Sequence, residues 1–140
     1  MVVDELTDGK RLGQLLASEI HGHERDVFGR LVVVDADAEI EPTEAGTLAY
    51  AIGIEIENDG DDSGHGDRIA KAYVHPDRLR VEFSAVPDVA ADVGREEGLR
   101  TRPKAVDPPR TLVFVENGAE VKAALRVVRA IASERFEEKR

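Results

Sequence analysis

Apolar residues near the start of the chain recur at three- and four-residue spacing. Leu12, Leu15, Leu16 and Ile20 fall on one face of a helix predicted from Asp8 to His21. Thr7 or Asp8 is placed to accept hydrogen bonds from the free N–H groups of its first turn. Gly22 tolerates the left-handed conformation that ends helices. The pattern then shifts to strands. Leu31 to Asp35 carries three successive valines and is apolar on both faces. Leu48, Tyr50, Ile52, Ile54 and Ile56 alternate without a miss, as a half-buried strand requires. The stretch 41–46 between them reads as the turn of a hairpin. Extending the first strand would set Asp35, Asp37, Glu39 and Glu41 on one face.

A second hairpin is predicted from Ile69 to Val74 and Leu79 to Phe83. Its turn is His75-Pro76-Asp77-Arg78, where proline presets φ and aspartate bonds its own backbone. Leu79, Val81 and Phe83 should face inward, and Arg78, Arg80 and Glu82 outward. A short helix is expected from Asp88 to Glu97, stopped by Gly98. A Pro- and Arg-rich connection, Leu99 to Arg110, leads to Leu112–Val115, which is apolar on both faces and so belongs inside a sheet. The last helix has the strongest signature. Asn117 can cap it, Glu120 can reach back, and Val121, Leu125, Val128, Ile131, Ala132 and Phe136 form one broad stripe. The sum is a single α+β domain spanning residues 1–140. It has a mainly antiparallel sheet of about five strands, with N-terminal and long C-terminal amphipathic helices packed on one face.

Composition narrows the chemistry. Cysteine is absent from the 140 residues, which excludes disulfides, thiolate metal sites and a cysteine nucleophile. Aromatics make up only 4%, with no tryptophan, so the core must be aliphatic and stacking platforms are few. The first residues carry acids where a signal peptide needs bases, and no apolar run approaches membrane-span length, so a cytoplasmic location with no membrane contact is expected. The formal charge is −10, and the excess of acid reads as adaptation to a salt-rich cytoplasm, where screening relieves self-repulsion. The charge is lopsided. Residues 1–98 hold 9 bases and 23 acids, whereas residues 99–140 hold 10 bases and 6 acids.

Three candidate sites follow. Asp59, Asp61 and Ser63, followed by Gly64, match the first half of a calcium loop, and Asp67 falls on its ninth position. The twelfth position is Ala70 rather than a bidentate glutamate, and the flanks read as strands, so no tight metal site and no cofactor are expected. Ser63, His65 and Asp67 supply triad residue types, but two-residue spacing on a glycine-rich loop does not orient a triad. His21, His23 and Glu24 do not share a helix face, because Gly22 intervenes. The third candidate is a basic surface of Arg100, Arg102, Lys104 and Arg110 with Lys122, Arg126 and Arg129.

These features favour a non-enzymatic binding or regulatory module, acting on a protein partner or by self-association. A metal-dependent or anion-binding enzyme using the 59–67 loop or Asp35 and Asp37 is one alternative. A nucleic-acid-associated protein using the basic C-terminal segment is another, with net charge and scarce aromatics counting against it. The acid excess also predicts that the thermal midpoint rises steadily from low to molar KCl. A midpoint indifferent to salt would remove the salt-adaptation reading.

Overall fold

The described residues form nine elements in the order α1 (Gly9–Gly22), β1 (Leu31–Val34), β2 (Thr47–Ile54), β3 (Asp67–Val74), β4 (Leu79–Phe83), α2 (Pro87–Glu96), β5 (Arg100–Lys104), β6 (Arg110–Val115) and α3 (Glu120–Glu138). The structure, a computed structural model, describes residues 7–22, 31–54 and 67–138, with the backbone only at Asp67, Phe136 and Glu138. All six strands join one antiparallel sheet in the order β1-β2-β3-β4-β6-β5. The first four follow one another as a meander. Helix α2 then carries the chain past the place of β6 to the edge strand β5, and β6 returns from it through a hairpin to fill the gap beside β4. Helix α3 packs on both α1 and α2, and all three helices lie on the same side of the sheet.

The α+β class, the antiparallel sheet and the terminal helices on one face agree with the sequence pattern. The strand count differs: there are six strands, not about five. Strand β5 lies in the stretch expected as a connection. Its outward positions are Arg100, Arg102 and Lys104, and its inward ones Thr101 and Pro103, so no apolar alternation announces it. Proline is tolerated there because β5 is an edge strand, where one row of N–H groups has no ladder partner. A third helix, α2, completes the layer. Strand β1 does not extend through the acids. At Asp35 the chain turns into the left-handed region, φ 56°, and Asp37 N–H instead donates to Ala49 O at 3.1 Å.

Alternation in β4 builds the core. Leu79, Val81 and Phe83 are buried and register with Val74, Ala72 and Ala70 of β3 and with Val115, Val113 and Thr111 of β6. Leu12, Leu16 and Ile20 of α1 and Val121, Leu125, Val128 and Ile131 of α3 close over that floor. Full burial of each such side chain contributes about 1.5–3 kcal/mol. The cap of α3 is reciprocal: Glu120 N–H donates to Asn117 Oδ1 at 3.2 Å, and Glu116 N–H donates to Glu120 Oε1 at 2.8 Å. Phe136, expected on the same stripe, has its side chain outside the described residues.

Small residues let α1 settle close to the sheet. Tyr50, pointing inward from β2, donates its hydroxyl to Gly13 O at 2.7 Å, and burial raises its pKa well above the ordinary phenol value. The first turn of α1 rests on backbone: Gly9 N–H donates to Pro76 O at 3.3 Å, and a Cβ on Gly9 would collide with the carbonyl oxygens of His75 and Arg78. Gly9→Ala is therefore expected to destabilise the fold by about 1–3 kcal/mol through overpacking. That loss should appear although alanine is the better helix former by about 1 kcal/mol. Urea unfolding checks it; a variant as stable as the parent would show that α1 can shift away from the 75–78 turn.

Candidate functional site

Because the three described helices cover one face of the sheet, the opposite face carries no helix among the described residues. The strand registers place its side chains. One row runs across five strands as Leu48, Tyr73, Arg80, Phe114 and Arg100. The next runs as Ala51, Lys71, Glu82, Leu112 and Arg102, and Arg110 stands beside Lys104 at the far end of the β5–β6 hairpin. Cations and aromatic rings thus interleave on a surface that needed neither for the core.

Within the first row, guanidinium groups lie against rings. Arg80 sits 4.5 Å from the Tyr73 ring centre, and Arg100 and Arg78 lie 5.5 and 6.0 Å from that of Phe114. These are cation–π distances. Arg80 is also anchored: its Nη1 donates to Ala45 O at 3.1 Å and lies 3.0 Å from His75 Nε2. Its Nε is 2.9 Å from Glu82 Oε2, and Arg110 Nε approaches the other carboxylate oxygen at 3.7 Å. Arg80 and Glu82 are each under one-fifth exposed, so this pair is fixed in the middle of the face. Lys71, Arg102 and Lys104 are exposed and make no ion pair among the described residues.

A cavity of about 200 Å³ opens on this face. Lys71, Tyr73, Glu82 and Ser84 line the sheet side, and Pro108, Pro109 and Arg110 of the β5–β6 hairpin line the other. A second cavity, about 150 Å³, lies between α1 and the 36–40 segment, with apolar walls that include Ala17, Ile40 and Tyr50.

His75, at the end of β3, is buried. An arginine nitrogen only donates, so the 3.0 Å contact makes His75 Nε2 an acceptor. Nδ1 must then carry the proton and donate to Glu44 O at 2.9 Å. The histidine is neutral in this arrangement. Burial, followed by repulsion from Arg78 and Arg80, lowers its pKa below the usual histidine value, outweighing the Glu44 carbonyl and Asp77.

The predicted basic surface divides in two. Arg100, Arg102, Lys104 and Arg110 share the helix-free face, whereas Lys122, Arg126 and Arg129 belong to α3, on the other side of the sheet. Lys122 is exposed, Arg126 pairs with Glu97 at 2.6 Å, and Arg129 is half-buried. Helical spacing and sequence proximity grouped the two sets; the sheet separates them. Beside the bases of β5 and β6 the face holds Arg78 and Arg80, whose outward positions the β4 alternation indicates, and Lys71 of β3. Glu82 and Tyr73 are the members with no chemical signal in the sequence to single them out.

The half calcium pattern Asp59, Asp61 and Ser63 lies outside the described residues, as do His65, His23 and Glu24, and the side chain of Asp67 is likewise outside them. Asp35 pairs with Arg68 at 2.5 Å, and Asp37 Oδ1 accepts from Glu39 N–H at 2.9 Å. Among the described residues no group of three or more His, Asp or Glu side chains is placed to hold a metal ion, and no helix is long and apolar enough to cross a membrane.

The His75 arrangement gives a signed pH dependence. Its folded pKa lies below its unfolded value of about 6.5. Its contribution is therefore complete above about pH 6.5 and lost as pH falls below it toward the folded value. Thermal midpoints at constant ionic strength should drop between about pH 6.5 and 5 in the parent and less steeply in His75→Gln. Parallel curves for the two proteins would remove His75 from the account.

The chain belongs to a family of unknown function, DUF7993, whose model matches residues 1–140. No curated protein and no solved structure matches it.

Proposed function

We propose that this DUF7993 member is a non-enzymatic binding module that docks an anionic partner on the helix-free face of its sheet. The observation that carries the reading is the cross-strand row Leu48–Tyr73–Arg80–Phe114–Arg100, flanked by Lys71, Arg102 and Lys104. Arginine and tyrosine are the residue types enriched where interfaces hold their binding energy. Arg80 is fixed here by stacking on Tyr73 and by its bond to Ala45 O, so docking need not order it from a mobile state. Unpaired cations in a chain of net charge −10 concentrate positive potential on one side.

An acidic protein segment and a nucleic-acid strand both present the required charge. Self-association of two copies through this face would set like charges against each other and is disfavoured. The chemistry of the shifted groups supports binding rather than catalysis. Tyr50 and His75, whose protonation is displaced, are both committed to backbone carbonyls, Gly13 O and Glu44 O. An acidic remainder suits a salt-rich cytoplasm, which we take as the setting.

The test is an NMR titration of the labelled protein with two polyanions, poly-L-glutamate and a mixed-sequence single-stranded RNA. Amide shifts are expected at Tyr73, Arg80, Arg102 and Phe114 with at least one probe, and not at Lys122 or Arg126. Arg100→Glu with Arg102→Glu and Lys104→Glu should abolish them without changing the fold. Shifts confined to α3, or none with either polyanion, would refute the docking face.

A further inference from the structure

We infer that the anionic partner is a single-stranded nucleic acid, and that one amino-bearing base enters the cavity between Tyr73 and the Pro108–Pro109 segment. This rests on the helix-free face being the docking surface and names what docks there.

Glu82 decides between the two polyanions. Among the described residues lining the cavity it is the one acid, and Arg80 and Arg110 hold its carboxylate there. An ionised carboxylate only accepts hydrogen bonds. The side chains of an acidic peptide bring more carboxylates and would be repelled by it. A base with an exocyclic amine brings donors: N6 of adenine, N4 of cytosine, N2 of guanine. A strand of such bases satisfies both signs, with phosphates on the cations and an amine on Glu82.

The rest of the cavity suits a planar ring. Its volume is about 200 Å³, and its lining includes the aromatic ring of Tyr73 and the apolar rings of Pro108 and Pro109. Lys71 and Arg110 supply positive charge at the same opening. Bases splayed from a single strand stack on aromatic side chains and on arginine guanidinium planes. This face offers Tyr73, Phe114 and the guanidiniums of Arg78, Arg80 and Arg100 in one interleaved set. Arg102 and Lys104, on alternate residues of β5, lie about 6.6–6.8 Å apart along the strand and give the backbone a cationic edge to follow. A duplex keeps each base inside its stack, so a ring that enters the cavity must come from a single strand. The objections from composition concerned the whole chain; Tyr73 and Phe114 are two of its few aromatics, and both stand here.

The test is fluorescence anisotropy with three labelled probes, oligocytidylate and oligouridylate of equal length and poly-L-glutamate. Oligocytidylate should bind about tenfold more tightly than oligouridylate, which lacks the amine. Glu82→Gln, which replaces one acceptor oxygen by a donor, should erase most of that preference. Should Glu82→Gln fail to fold, Tyr73→Leu still decides the case: it keeps apolar bulk, removes the aromatic platform, and should weaken both oligonucleotides about tenfold. Arg102→Ala with Lys104→Ala should flatten the salt dependence by roughly 0.7 per lost phosphate contact. Equal affinity for the two oligonucleotides, or a preference untouched by Glu82→Gln, overturns the base pocket. Binding of polyglutamate but of neither oligonucleotide overturns this inference and leaves the docking face standing; binding of none overturns both.

Discussion

Strand β4 runs through the interior of the sheet, and its period-two alternation imposes a division that every other element obeys. Leu79, Val81 and Phe83 point to one side, and the chain must bury them. Arg80 and Glu82 point to the other, where a packed helix would have to desolvate both charges at a cost of several kcal/mol each. The three helices therefore have one side available to them. With aromatics scarce, their layer must come close. Ala70 and Ala72 on β3 and Gly13 on α1 make room, and Gly9 lets the helix start directly on the 75–78 backbone. The helix-free face is the consequence of the same alternation, and its chemistry is not constrained by the core.

That second face is organised around Arg80. A lone arginine on an open sheet sweeps through many rotamers, and ordering it on binding costs about 0.5–1.5 kcal/mol. Arg80 has already lost that freedom. It stacks on Tyr73, bonds Ala45 O, faces Glu82 and meets the bare nitrogen of His75. The neutral histidine is the unusual member, since a protonated ring would turn its Nε2 from acceptor to donor and set two donors nose to nose. The 41–46 loop contributes only backbone oxygens to this arrangement, Glu44 O and Ala45 O, so the position of that loop and the orientation of the central cation are linked.

Much of the fold was legible because the helices and the central strands carry their period on the surface of the sequence. The leucines of α1, the stripe of α3 and the alternation of β4 have single physical readings, and each lies where that reading puts it. Strand β5 was not legible, because a strand whose outward residues are Arg100, Arg102 and Lys104 and whose inward ones are Thr101 and Pro103 has no hydrophobic period to detect. The acids after Val34 misled for the opposite reason. They keep strand-like spacing, but Asp35 tolerates positive φ and takes the chain out of the sheet. That the bases of β5 and β6 stand together could be read from the sequence. That those of α3 lie across the sheet from them could not, because proximity along the chain says nothing about which side of a sheet a helix will cover. Glu82 was invisible as a functional residue for a related reason: in a chain with 29 acids, one more acid carries no signal until its neighbours are known.

On the proposed reading of the helix-free face, a salt-rich setting would limit the kinds of recognition open to it. In molar salt the screening length shrinks to about 3 Å, so exposed cations such as Arg102 and Lys104 attract a partner only at contact. Interactions that survive are those with no room for an intervening ion: a guanidinium against a ring, a ring against a ring, and a hydrogen bond made inside a cavity. Arg80 and Glu82, each under one-fifth exposed, and the walls of the 200 Å³ cavity belong to that class. The surface pairs Arg126–Glu97 and Arg68–Asp35 do not, and exposed pairs of that kind contribute about 0–1 kcal/mol even in dilute buffer. A binding face built for a salt-rich interior would thus place its discriminating groups half-buried beside aromatic rings and leave its exposed bases to set the rate of encounter. The helix-free face has that distribution: the one carboxylate lining its cavity is fixed between two arginines, and the free cations stand along its edge.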